Sequence, residues 1–189
     1  MDESAEEKIR PELTRSEKLV WCGQPPQGFM LRAADALLIP FSILWGGFAV
    51  FWEVTAIAMG APVFFVLWGI PFVLMGLYIT VGRFWADARR RASTVYAVTS
   101  ERVLIVSGVW TRSVKSLDIA SLTDMALTER RDGAGTITFG SVPYFYGWYA
   151  ASGWPGLAAQ QVPSFDLADG ARQVYEQIRA VQKASRQHA

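Results

Sequence analysis

The side chains able to carry acid–base or metal chemistry are few. In the β-rich segment the acids to weigh are Asp118, Asp124, Glu129 and Asp132, and the chain has one cysteine, Cys22, and one histidine, His188. General acid–base work needs two groups held within hydrogen-bond reach of one substrate. A zinc centre needs three or four ligands at short, regular spacing. The four acids are scattered over strand-like and turn-like stretches and meet neither condition. No glycine-rich phosphate loop is present. A single cysteine excludes an internal disulfide framework and a cysteine-built zinc site, and Cys22 reads as a small apolar residue. His188 is next to the last residue, where chains commonly fray. The expectation is a chain that is not an enzyme, with no catalytic residue, cofactor or metal site.

Charge points elsewhere. The 189 residues carry a formal net charge of +1, too little for the global field that favours nucleic acid as a partner. The basic residues fall in clusters. Arg32, Arg83, Arg89, Arg90 and Arg91 flank apolar runs. Arg112 with Lys115, and Arg130 with Arg131, lie on or beside strand-like segments. The first set has the position of topology anchors. The second is a solvated face or, near an anionic leaflet, a lipid-facing set.

Two apolar segments must place those anchors. Residues 33–52 read AADALLIPFSILWGGFAVFW, with Asp35 at the edge as the one charge; residues 63–82 begin VFFVLWGIPFVLMGLYITV and carry none. A hydrocarbon core of about 30 Å needs roughly 20 helical residues, which both supply. The first begins beyond thirty mostly polar residues and lacks the layout of a signal peptide. The linker from Glu53 to Pro62 is short and has no Lys or Arg, so the segments read as an antiparallel transmembrane hairpin. Its positive flanks stay cytoplasmic, and with them both termini. Glu53 then lies at the outer end, within reach of water. Gly46, Gly47, Gly69 and Gly76 allow close helix approach. With no polar lining inside the spans, a channel or transporter subunit would require oligomerisation.

After a helical extension, 83–93, the period changes. Strands are expected at 94–99, 102–108, 113–119, 123–129, 136–140 and 163–167, with an Asp-Gly turn at 130–135. Ile137 and Phe139 should point inward. A helix of about 18 residues from Leu167 closes the chain, with Asp166 as cap and Asp169 completing a capping box. Its apolar stripe is Leu167, Ala171, Val174, Tyr175, Ile178 and Val181. Strands followed by one amphipathic helix imply an all-β sheet pair or barrel capped by a helix.

Between the strands expected at 136–140 and 163–167, SVPYFYGWYAASGWPGLAAQQ crowds Tyr144, Phe145, Tyr146, Trp148, Tyr149 and Trp154 among Gly and Pro. Three readings stand. The loop packs on the barrel, it dips into the membrane interface, where Trp and Tyr are favoured, or it is a partner or self-association surface.

The run Tyr96-x-Val98-Thr99-x-x-Arg102, then SLDIASLTDM, GAGTITFG and the terminal VYEQI, resembles the bacterial pleckstrin-homology (PH) domain. The upstream EKLVWCGQPPQG is similar to the lead-in before the membrane hairpin of such proteins. The resemblance covers most of residues 17–185. It implies a PH-like bent barrel of about seven strands with a C-terminal capping helix. Eukaryotic relatives of the fold often bind phosphoinositides through basic residues in the first inter-strand loop. Here that turn is Thr99-Ser100-Glu101-Arg102, short and with one acid, so headgroup binding is not carried over.

The expected organisation is an N-terminal cytoplasmic segment (1–32), the hairpin (33–82), a helical extension (83–93) and the PH-like domain (94–185). The expected function is a non-enzymatic interaction or assembly module on a bacterial inner membrane. Its partners would be the bilayer, an unidentified protein and, from the resemblance, a second copy of the chain. The alternative is a domain that senses anionic lipid at the membrane surface.

Overall fold

The computed structural model describes residues 3–31, 35–109, 111–140 and 162–188. They fall into two compact units: Phe29–Asp87 forms one, and the chain before and after it forms the other.

The hairpin unit is α2 (Asp35–Ala58), α3 (Val63–Leu77), a five-residue π turn (Tyr78–Gly82) and the start of α4 (Arg83–Ala92). α2 and the continuous helix Val63–Ala92 are each long and apolar enough to cross a membrane. Their outward surfaces are apolar, including Leu44, Phe48, Phe51, Phe64, Leu67 and Leu77. The helices meet at glycine: a Cβ on Gly76 would lie 2.8 Å from the Cα of Gly46. No side chain fits there, which lets the backbones approach. Nearby, Thr80 Oγ1 donates to the Gly76 carbonyl at 2.8 Å, and buried Ser42 donates to the Ile39 carbonyl at 2.9 Å. Pro40 and Pro71 lie inside the helices.

The linker is shorter than its sequence suggested. α2 runs on to Ala58, so Glu53 stands inside the helix. Val54 and Ile57 continue the apolar surface, and Thr55 satisfies its hydroxyl on the Phe51 carbonyl at 2.7 Å. The Glu53 carboxylate lies against Gly69, and its buried Oε2 has no hydrogen-bond partner among the described residues.

The other unit holds seven described strands. β1 (Leu19–Gly23), β2 (Val95–Thr99), β3 (Arg102–Ser107) and β4 (Ser113–Asp118) form one antiparallel sheet in that order. β5 (Met125–Glu129), β6 (Gly135–Phe139) and β7 (Ser164–Leu167) form the second. Side chains alternate across a strand, and β2 buries both sets. Tyr96 and Val98 join Val103, Ile105, Ile137, Phe139 and Phe165 in the core between the sheets. Val95 and Ala97 join Leu104, Val106 and Cys22 in a second core. α1 (Glu3–Ile9) covers that second face with Ala5 and Ile9, both fully buried. Thus residues expected to be only a lead-in supply a strand and a covering helix. Leu19 through Gly23 pair with Thr99 through Tyr96 across the whole hairpin.

The main core centres on Phe165. Its ring stacks on Tyr96 at 4.4 Å and meets Phe139 edge-on at 5.0 Å. Ile137 and Phe139 are buried as expected. The last helix, α5 (Ala171–His188), begins later than expected. Leu167 instead ends β7, because Phe165 and Leu167 alternate inward as a strand. Asp166 therefore does not cap the helix: its carboxylate accepts from Thr136 Oγ1 at 2.8 Å. Gly170, at φ +60°, turns the chain into the helix. Ala171, Val174 and Ile178 bury its inner face against the main core, with Tyr175 and Val181 packed beside them.

Candidate functional site

Arg102, the last residue of the Tyr-x-Val-Thr-x-x-Arg run, stands at the β2–β3 turn. Its Nε contacts Glu17 Oε1 at 2.5 Å and its Nη2 contacts Glu17 Oε2 at 2.9 Å, a bidentate pair. Nη2 also donates to the Glu12 carbonyl at 2.8 Å, and Nη1 lies 3.3 Å from Ser116 Oγ. The Thr14 backbone N–H donates to Glu17 at 2.9 Å. The Glu17 side chain is 1% exposed and that of Arg102 27%. The Arg102 hydrogen bond pulls the Glu17 carboxyl down to about 2; burial opposes the shift and the Thr14 N–H assists it. Thr99 Oγ1 closes the turn by accepting from the backbone N–H groups of Glu101 and Arg102, at 3.2 and 3.0 Å. The β2–β3 turn is thus held by this chain's own carboxylate, Glu17. Its motif residues hold structure together.

The basic residues named as topology anchors have different surroundings. Arg83 Nη1 donates to Asp35 Oδ1 at 2.7 Å, both side chains largely buried. The Arg83 guanidinium lies 4.4 Å over the Phe84 ring. Arg91 is buried and donates through Nη2 to the Gly28 carbonyl at 2.7 Å. Arg89 and Arg90 are exposed. Arg32 lies outside the described residues, as do Tyr144, Phe145, Tyr146, Trp148, Tyr149 and Trp154.

Of the second basic set, Arg112 is engaged: Nη2 contacts Glu12 at 2.7 Å and the Lys8 carbonyl at 3.2 Å. Arg130 stands 3.9 Å from Asp132, Arg131 is exposed and Lys115 is half-exposed on β4. These four do not form one cluster around a cavity. Among the described residues no group of three His, Cys, Asp or Glu could hold a metal ion. Cys22 is buried beneath α1.

Sequence reasoning missed Glu17 as the partner of Arg102 and Asp35 as the partner of Arg83. A signal existed for each. A lone acid beside an apolar run needs a cation, and an arginine fixed in a strand turn needs an acceptor.

A family model described as bacterial PH domain matches residues 35–182, spanning the hairpin and the following domain. Neither a curated protein nor a solved structure matches the chain.

Proposed function

The chain belongs to the bacterial PH domain family, and from that membership we propose that it is a membrane-anchored interaction or assembly module without enzymatic activity. The observation that carries the proposal is the β1–β2 pairing across the hairpin. Two long helices with apolar outer surfaces leave the β unit after Gly23 and return to it at Val95. A surface of that length and composition suits lipid. Both ends of the insertion belong to adjacent strands, so both lie on one side of any membrane it enters. Exposed Arg89 and Arg90 and the Lys/Arg-free linker favour the cytoplasmic side of a bacterial inner membrane. The PH-like unit then meets its partners at the inner surface.

Protein association is favoured over headgroup sensing because Arg102 and Arg112 are occupied by Glu17 and Glu12. The test uses the full chain, purified in mild detergent by affinity and cross-linked, beside the same chain in anionic and neutral vesicles. A discrete oligomer or a stoichiometric protein partner is expected. Salt-sensitive binding of the β unit to anionic vesicles, with no partner, would favour the lipid-sensing alternative. Reporter fusions at the two termini should report the same, cytoplasmic side; opposite sides would break the anchoring scheme.

A further inference from the structure

Arg83 carries a hydrogen-bonding edge that no described residue uses. Its Nη1 is bound to Asp35, yet its Nε and Nη2 are buried and have no partner among the described residues. Its side chain is 11% exposed. Nε–H and Nη2–H point the same way in a planar guanidinium and match two oxygens of one carboxylate or phosphate. A buried charged donor left unpaired is costly, so an acceptor of that shape is called for.

Position selects the acceptor. The π turn Tyr78–Gly82 comes immediately before Arg83, and such turns re-aim the residues that follow. Val81, just before it, and Trp85, just after, expose large apolar surfaces; Phe84 lies under the guanidinium. Asp35, its carboxylate partner, marks the start of α2. Arg83 therefore stands where the apolar surface of the hairpin ends, the depth of lipid headgroups. We infer that the Nε–Nη2 edge of Arg83 binds the phosphate of a phospholipid at the root of the hairpin. This rests on the membrane-anchoring reading proposed above.

The ion pair with Asp35 holds the guanidinium through Nη1 and leaves its Nε–Nη2 edge for the phosphate. A lysine could keep the charge and the Asp35 contact but has no fork.

Full-length protein in detergent, stripped of lipid, would be titrated with phosphatidylglycerol or with phosphate-free glucosyl diacylglycerol and read by native mass spectrometry. The wild type should retain phosphatidylglycerol at collisional energies that remove the glycolipid. Arg83→Lys should lower the retained fraction about tenfold. Equal retention of the two lipids by the wild type, or unchanged retention in Arg83→Lys, overturns the assignment. The wild-type comparison decides the matter even if a variant does not fold. Release of the lipid by millimolar inorganic phosphate would assign the edge to a free anion and overturn the lipid assignment. Alkaline carbonate separates the two readings: a chain it releases from membranes overturns the anchoring. A chain that stays in membranes but shows no phosphate preference overturns the Arg83 site alone.

Discussion

Arg102 and Arg83 each meet a buried carboxylate, one in the β unit and one in the hairpin, and they use it differently. Arg102 closes its fork on both oxygens of Glu17 and uses two further donors on Glu12 and Ser116. Arg83 reaches Asp35 through one terminal nitrogen, and no described residue uses its fork. Saturated hydrogen bonding makes an arginine a structural rivet. Partial saturation keeps recognition capacity. Membership of the motif therefore does not make a residue the better candidate for binding. Here the motif arginine has its fork closed internally, and among the described residues the one beside the apolar run does not.

The comparison can be broken first at Arg102. Arg102→Met leaves Glu17 buried without its cation and should cost about 3–5 kcal/mol. Denaturant or thermal unfolding of the full chain in detergent checks this; a change below 1 kcal/mol would mean that the rivet is not holding the turn. The second break is by acid. Glu17 titrates at about 2 when folded against an ordinary value of 4.5. Its ionised form is the stabilising one, so the contribution is complete above about pH 4.5 and is lost as pH falls toward 2. The loss amounts to at most about 3 kcal/mol, and Glu17→Gln should flatten that part of the stability–pH curve.

A smaller effect is expected in the hairpin. Gly76→Val forces a side chain against the Gly46 backbone and should cost about 1–3 kcal/mol. It should lower the melting temperature in detergent while the protein stays in carbonate-washed membranes. The smallest effect calibrates the others. Arg172 contacts Glu129 at 2.6 Å, but its side chain is 67% exposed. Arg172→Gln should leave the unfolding midpoint unchanged within error, since exposed pairs contribute little.

Much of the fold was legible where residues that pack together are also close in sequence. The β2–β3 hairpin shows it: two β-branched runs flank a turn, and Val95↔Val106 through Val98↔Val103 pair in register. Ile137 and Phe139 announced their face by alternation. The reading failed where the partner lay far away. Leu19–Gly23 is a short strand whose partner comes after the entire hairpin, and nothing local marks it. α1 is polar except for Ala5 and Ile9, too few to declare a buried face. The start of α5 was misplaced because Leu167 fits both a helical and an alternating period. Tertiary pairing with β6 decides for the strand. The site residues divide likewise: the arginines stood out by type, but which carboxylate each would meet depended on contacts tens of residues apart.

The strand pairing that spans the hairpin also sets an order of events. During synthesis β1 emerges first and finds no neighbour until β2 appears, after the hairpin has been made. Bringing such distant segments together carries a loop-closure cost and slows folding. Until then Trp21 and Cys22 lack the strand with which they pair. The apolar helices are complete while the sheet is still open. Synthesis of the hairpin thus comes before closure of the domain, and the N-terminal strand waits for the chain that follows it.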